Sequence, residues 1–232
     1  MRMALLGYGK MGRMVEEIAL GEGWEIGPKL DINDNAGGSG ITKESMAGVD
    51  AAVEFSQPSA VVTNIEAAAK AGVSLVVGTT GWSDQLDKIE KIVRDSGVGL
   101  VYGANFSVGM NLFFELVSRA AELIGKVPQY DPFLTEEHHR AKKDAPSGTA
   151  LNLLELMRPH LKNSEPSVAC IRAGAIPGTH VIGFDSMADT ILLEHRARSR
   201  RGFAEGAVMA ARWIVGKKGM YDFRQIFREI VR

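Results

Sequence analysis

Between residues 136 and 150 the chain reads Glu136-Glu137-His138-His139-Arg140-Ala141-Lys142-Lys143-Asp144-Ala145-Pro146-Ser147-Gly148-Thr149-Ala150. Two histidines, an arginine and two lysines fall within six residues, a dense supply of proton donors and fixed cations. Pro146 is expected in the first turn of a helix. Ser147, Gly148 and Thr149 would then offer free backbone amides and hydroxyls to a carboxylate. This combination suits an anionic substrate that must be protonated during reaction. A metal site is the competing chemistry for His138 and His139. Adjacent residues on a strand point to opposite faces, however, so the pair is poorly placed to share one ion and no metal is expected. The plain alternative is a charged surface loop.

A second constellation lies at the start of the chain. Gly7-Tyr8-Gly9-Lys10-Met11-Gly12 follows an apolar run and opens a helical pattern. In a dinucleotide-binding turn the first glycine permits the bend, the second lets backbone approach a pyrophosphate, and the third allows helix to pack on strand. Asp31 follows at the end of the second strand, about 20 residues beyond Gly12, where a carboxylate can accept from the adenosine ribose hydroxyls. The alternative for Asp31 is a turn or cap residue. Lys29 is expected on the same side of the strand, where it could receive a 2′-phosphate. Gly78-Thr79-Thr80 and Gly103-Ala104-Asn105-Phe106 stand at the carboxyl ends of two further strands, the edge at which open α/β sheets take ligands. Their small and hydrogen-bonding residues suit a nicotinamide ribose, or form ordinary turns.

These residues need a scaffold, and hydrophobic patterning predicts one. Strands are expected at 3–6, 24–30, 51–55, 74–77 and 100–102, with helices at 10–20, 59–71 and 84–96 between them, the last capped by Ser83. Gly72 and Gly97 stand where helices end in a left-handed residue. Alternation of this kind predicts an α/β fold with a Rossmann-type doubly wound parallel sheet. Beyond Gly109 the pattern changes to a long helix over 110–124, an extended run over 133–139 and a helix from about Ser147 towards Met157. Three closely spaced β-like runs follow at 167–172, 180–185 and 190–195. They predict a second α+β domain with a mixed sheet, and a last helix carries Ala204, Ala207, Val208, Ala211, Ile214 and Val215 on one face. The expected division is a dinucleotide-binding domain over 1–106 and 201–232, and a substrate-binding and oligomerisation domain over 107–200.

Composition removes other classes. With 27 basic against 28 acidic residues and a net charge of -1, the chain lacks the cationic surplus of a nucleic-acid binder. The run Arg196 to Arg201 reads as a solvated strand end or loop, with an anion site as the alternative. At 45% hydrophobic and 24% charged residues the chain is globular rather than disordered. No stretch is apolar enough to span a membrane, no secretory leader is visible, and the single cysteine, Cys170, reads as a strand core residue. A cytoplasmic protein with no nucleic-acid or membrane partner is expected.

The segment Glu137-His-His-x-x-Lys-x-Asp-Ala-Pro-Ser-Gly-Thr-Ala, with the glycine loop, Gly78-Thr79-Thr80-Gly81, Asn105-Phe106-Ser107-Val108-Gly109 and Ser199-Arg200, resembles the dihydrodipicolinate reductase family over nearly the full chain. The resemblance implies hydride transfer from NADH or NADPH to a cyclic, unsaturated dicarboxylate in lysine and diaminopimelate biosynthesis, performed by a homotetramer. It implies that His138 and Lys142 act in proton donation, while His139, Gly148 and Thr149 hold substrate carboxylates. The compact Gly7-Tyr8-Gly9-Lys10 loop departs from the longer Gly-Ala-x-Gly-Arg of the family, and the segments 31–48 and 174–180 are short. Two other readings share the fold. One is a different small-acid dehydrogenase, such as an aspartate dehydrogenase, and the other is a redox sensor without turnover. A sensor needs no proton donor and here has no basic helix-turn-helix, while a substrate panel with NADH separates the dehydrogenases.

Overall fold

The computed structural model describes residues 1–161 and 165–231 of the 232-residue chain. They divide into two compact units, Met1–Val108 with Arg200–Arg232, and Gly109–Ser199.

The first unit is a six-stranded parallel sheet. Five strands alternate with helices along the chain: β1 (Arg2–Leu6), α1 (Lys10–Gly21), β2 (Glu25–Leu30), β3 (Ala51–Glu54), α2 (Pro58–Ala71), β4 (Ser74–Val77), α3 (Leu86–Ser96) and β5 (Gly99–Tyr102). Leu5, Val53, Leu75, Val76 and Val101 are fully or almost fully buried, as expected of parallel strands covered on both faces. One core joins the sheet to α1 and the late helix α6 (Arg201–Ile214), the other to α2 and α3. Gly72 and Gly97 end α2 and α3 in the left-handed conformation, with φ of 79° and 69°. Ser83 does not cap α3: a 3-10 turn over Ser83–Gln85 intervenes, without a side-chain cap. A sixth strand, β10 (Gly219–Asp222), was not evident in the sequence pattern, being four partly buried residues without alternation. It pairs parallel with β5 ahead of the last helix, α7 (Phe223–Ile230), and the order is β10-β5-β4-β3-β1-β2.

In the second unit α4 (Val108–Ile124, its first residue belonging to the other unit) and α5 (Gly148–Met157) pack on a four-stranded sheet through Phe113, Phe114, Leu134, Leu153 and Phe184. Its strands are β6 (Asp131–His138), β7 (Ser167–Arg172), β8 (Thr179–Asp185) and β9 (Thr190–Arg196), in the order β7-β6-β8-β9. The β6–β7 pair is parallel and the other two are antiparallel, so the sheet is mixed. Cys170 lies on β7 but is exposed, correcting its assignment to the core. Among the described residues no helix is long and apolar enough to cross a membrane.

Candidate active site

Two cavities open along the carboxyl edge of the parallel sheet. The first, about 300 Å³, is lined by Gly7 and Gly9 after β1, Asp31 after β2, and Phe55, Ser56 and Gln57 after β3, with Asn35 and Asn64. The second, about 250 Å³, is lined by Thr79 and Thr80 after β4, Tyr102, Gly103 and Ala104 at the end of β5, and Asp222 of β10. The topology therefore puts both clefts at the edge where parallel α/β sheets bind ligands.

The glycine loop fits a dinucleotide. A Cβ on Gly7 would lie 2.3 Å from the Phe55 carbonyl oxygen, and one on Gly12 would lie 2.2 Å from that of Gly7, so both close contacts require glycine. A Cβ on Gly9 would meet nothing within 4 Å, which leaves open the side a pyrophosphate must approach. Lys10 starts α1 in an exposed position, Met11 packs partly against the core, and no side chain caps the helix, leaving its amide end available to an anion. Asp31 borders the first cavity while its Oδ1 accepts from the Ile32 amide at 2.9 Å, so it serves as turn residue and as cavity wall. Tyr8 borders neither cavity. Its hydroxyl donates to Glu16, and Lys29 and Arg13 lie over its ring at 4.9 and 5.2 Å. Lys29 turns to Glu16 rather than to the cavity. Gly78 packs against the Phe55 ring, Phe106 is buried against Phe223, and Asn105 Oδ1 accepts from the Ser107 amide.

Glu54 was not singled out from the sequence, although it ends a strand at the ligand edge. It is fully buried beneath the first cavity, where it accepts from the Ser56 amide at 3.1 Å and from Asn64 at 3.3 Å, and Asn64 in turn accepts from Asn35. Burial pushes its carboxyl pKa up.

The second unit gathers the ionisable cluster. Alternation along β6 turns Glu136 and His138 to one buried face, and β6 ends there, so His139 lies beyond the strand and exposed. Register brings two further groups from distant sequence: His180 on β8 sits opposite Glu136, and Arg172 on β7 sits opposite His138. Glu136 Oε1 accepts from Arg172 Nη2 at 2.6 Å and from the Ser147 amide at 3.0 Å. Its Oε2 faces His138 Nδ1 at 3.5 Å and His180 Nε2 at 3.7 Å. Burial works to raise the Glu136 pKa, but bonds from Ser147, Arg172 and Cys170 outweigh it and hold the carboxyl below its ordinary value. Burial lowers the pKa of His138, with Lys142 and Arg172 adding to the effect and Glu136 and Asp144 opposing it. Burial, with the nearby His138, depresses His180 to about 4.

Ser147 caps α5, its Oγ accepting from the Ala150 amide at 3.2 Å, while Gly148 and Thr149 form the first turn. Pro146 lies ahead of the cap rather than inside the first turn, joined to Ala145 by a cis peptide. Lys142 Nζ pairs with the Asp144 carboxylate at 2.9 Å, and the Gly148 amide donates to the same carboxylate. Glu136, His138 and His180 offer three ligand atoms within 4.8 Å of one another. The Arg172 guanidinium on Glu136 and the charge of Lys142 make this a poor seat for a dication. The metal question thus involves Glu136, which strand alternation puts on the face of His138, and His180, which only the pairing of β8 with β6 brings there.

A parallel sheet with a glycine-rich first turn in one unit, and a buried imidazole–carboxylate cluster in the other, define a nucleotide-dependent oxidoreductase of the Rossmann class. The chain matches "Dihydrodipicolinate reductase, N-terminus" over residues 1–106 and "Dihydrodipicolinate reductase, C-terminus" over residues 109–227. It is 34% identical over 243 residues to a 4-hydroxy-tetrahydrodipicolinate reductase of Christiangramia forsetii, covering 100% of both chains. It is 41% identical over 191 residues to one of Methanoculleus marisnigri, covering 75% of each. The chain belongs to the dihydrodipicolinate reductase family. Among solved structures, the fold is similar to a dipicolinate-bound dihydrodipicolinate reductase from Paenisporosarcina, with a TM-score of 0.76 and 21% identity over 97% of this chain and 98% of that one. A probable dehydrogenase from Thermotoga maritima shares the fold at a TM-score of 0.64 and 10% identity, covering 100% of this chain and 94% of that one.

Proposed function

We propose that the protein reduces 4-hydroxy-tetrahydrodipicolinate to tetrahydrodipicolinate with NADH or NADPH. When bound, the nicotinamide supplies the hydride. Gly7, Gly9, Lys10 and the amide end of α1 hold the pyrophosphate, with Tyr8, Met11 and Gly12 shaping the turn, and Asp31 accepts from the adenosine ribose. Gly78, Thr79, Thr80 and the segment Gly103 to Phe106 border the nicotinamide end. His138 and Lys142 supply the proton, and His139, Ser147, Gly148 and Thr149 hold carboxylates.

One observation carries this reading: two of the groups assigned to the substrate converge on a carboxylate of the chain itself. The Asp144 side chain is bound by Lys142 Nζ and by the Gly148 amide, two of the groups assigned to the substrate. A cation and a helix-terminal amide converging on one carboxylate are the arrangement a dicarboxylate needs. The 4-hydroxyl leaves as water to give the conjugated ring; hydride delivery to that ring leaves negative charge, which a proton from His138 or Lys142 discharges. The same reading makes the enzyme a cytoplasmic homotetramer. Exposed apolar Ile171 on β7 and Leu192 on β9, on the face of the sheet opposite the helices, support assembly through the mixed sheet. The direct test follows loss of NADH and NADPH absorbance with enzymatically generated 4-hydroxy-tetrahydrodipicolinate. Turnover with at least one cofactor is expected, and none with either overturns the assignment.

A further inference from the structure

The mechanism above leaves buried Glu136 without a task. Glu136 is wholly inaccessible to solvent and lies at the centre of the cluster. Its Oε1 accepts from Arg172 and the Ser147 amide and the Cys170 thiol also bonds the carboxylate, while Oε2 faces the two imidazoles at 3.5 and 3.7 Å and His138 Nδ1 has no hydrogen-bond partner. On its other side His138 Nε2 faces Gly178, where a Cβ would come within 3.1 Å. The ring therefore faces a carboxylate at one nitrogen, 3.5 Å away, and a glycine without a side chain at the other. His180 packs edge-on to His138 with centroids 5.2 Å apart, which further limits rotation.

Resting on the reductase reading, we infer that Glu136 is the positioning residue of the proton donor. Its carboxylate binds the Nδ1–H of His138, fixes the ring with Nε2 outward, and stabilises the imidazolium that gives up the Nε2 proton. In that step the N–H bond at Nε2 breaks and a bond from hydrogen forms to the substrate atom left negative by hydride addition. The imidazolium becomes a neutral imidazole still donating Nδ1–H, Glu136 remains a carboxylate, and solvent returns the proton. A carboxylate behind a histidine performs the same orienting task in hydrolase triads and metal sites. The charged groups facing His138 are Glu136 and Asp144, which favour the imidazolium, and Lys142 and Arg172, which oppose it; His180 is neutral at pH 7. Glu136 also ties the donor to the carboxylate-binding end of α5 through Ser147, and Arg172 reaches from Glu136 to the Asp144 carbonyl.

The test compares Glu136→Gln, Glu136→Asp, His138→Ala and the double variant Glu136→Gln/His138→Ala. Glu136→Gln should lower kcat by about 10- to 100-fold, the usual cost of losing an orienting partner. KM for the substrate and the dissociation constant for NADH should change less than about twofold, a margin within the few tenths of a kcal/mol expected between uncoupled sites. The alkaline limb of the kcat–pH profile should move to lower pH, because the carboxylate no longer favours protonated His138. Glu136→Asp should recover part of the rate, and the double variant should be no slower than His138→Ala alone. Unchanged turnover and pH limb in Glu136→Gln, or losses that multiply in the double variant, overturn the proposal. If Glu136→Gln does not fold, nitrogen-15 NMR of the wild-type His138 ring decides: Nδ1 protonated at pH 8 supports it, and the Nε2–H tautomer overturns it. Inactive wild-type enzyme would instead sink the reductase reading, so the two failures are distinct.

Discussion

Lys29 is bound to Glu16, with Nζ 3.0 Å from the carboxylate Oε1, and its charge lies over the Tyr8 ring. The ammonium that the sequence offers to a 2′-phosphate is thus already partnered, while Asp31 borders the cavity beside Gly7 and Gly9. Asp31→Ala should weaken NADH by about tenfold, the scale of a lost hydrogen bond to a charged acceptor, and NADPH by less, because the same carboxylate repels a 2′-phosphate. Lys29→Ala should leave the ratio of the two affinities within about twofold, the margin expected of an exposed ion pair. Fluorescence titration of both cofactors checks both; equal losses for Asp31→Ala remove that residue from the ribose site.

The glycine loop separates folding from binding. Gly12→Ala forces a methyl into the Gly7 carbonyl, 2.2 Å away, and should destabilise the first unit by roughly 2 kcal/mol or more. Gly9→Ala meets nothing, and Gly9 has a φ of -82° that alanine tolerates, so melting should be unchanged while NADH affinity falls. Calorimetry alongside cofactor titration distinguishes them, and equal thermal losses would contradict this division.

Lys142 and Asp144 should respond in opposite directions. Lys142→Ala is expected to lower turnover by roughly two orders of magnitude and to raise KM, as a positioned acid and carboxylate anchor would. Asp144→Asn removes the internal carboxylate that occupies Lys142 and the Gly148 amide, so pyridine-2,6-dicarboxylate should bind several-fold tighter. Titration calorimetry measures the second effect. Weaker binding in Asp144→Asn would mean that Asp144 organises the site rather than occupying it.

Buried His180 sets an acid limit on stability. Its folded pKa is about 4 against 6.5 for the free side chain. Because the folded value is depressed, the unfolded chain takes up the proton first. The stability contribution is complete above pH 6.5 and is lost as pH falls towards 4, with a magnitude of order 3 kcal/mol. Burial shifts His138 in the same direction and adds to the slope. Urea unfolding of the second unit at pH 7, 5.5 and 4.5 should show this loss, and His180→Asn should flatten it. An identical pH slope in the variant would assign the loss to other groups.

The strand–helix alternation, the glycine loop, the left-handed ends at Gly72 and Gly97 and the segment from Glu136 to Ala150 were all legible in the sequence, because each is written in contiguous residues through periodicity, backbone permissiveness or local charge. Local patterning also indicated a mixed second sheet. The four-residue strand β10 was not legible, since its assignment depends on an edge vacancy beside β5. Exposure of Cys170 and the capture of Lys29 by Glu16 were likewise invisible, because each depends on what lies across the strand or on the next helix. The largest difference lies in the cluster itself. Sequence alone offered His138 and His139 as candidate imidazoles and, by strand alternation, set them on opposite faces, but named no partner for His138. The sheet instead pairs His138 with Glu136, His180 and Arg172, the last separated from Glu136 by 36 residues. Strand periodicity sends neighbouring histidines to different environments, whereas register unites groups from three strands. Chemistry written in adjacent residues can be read from the chain, but chemistry assembled across a sheet exists only once the strands have paired.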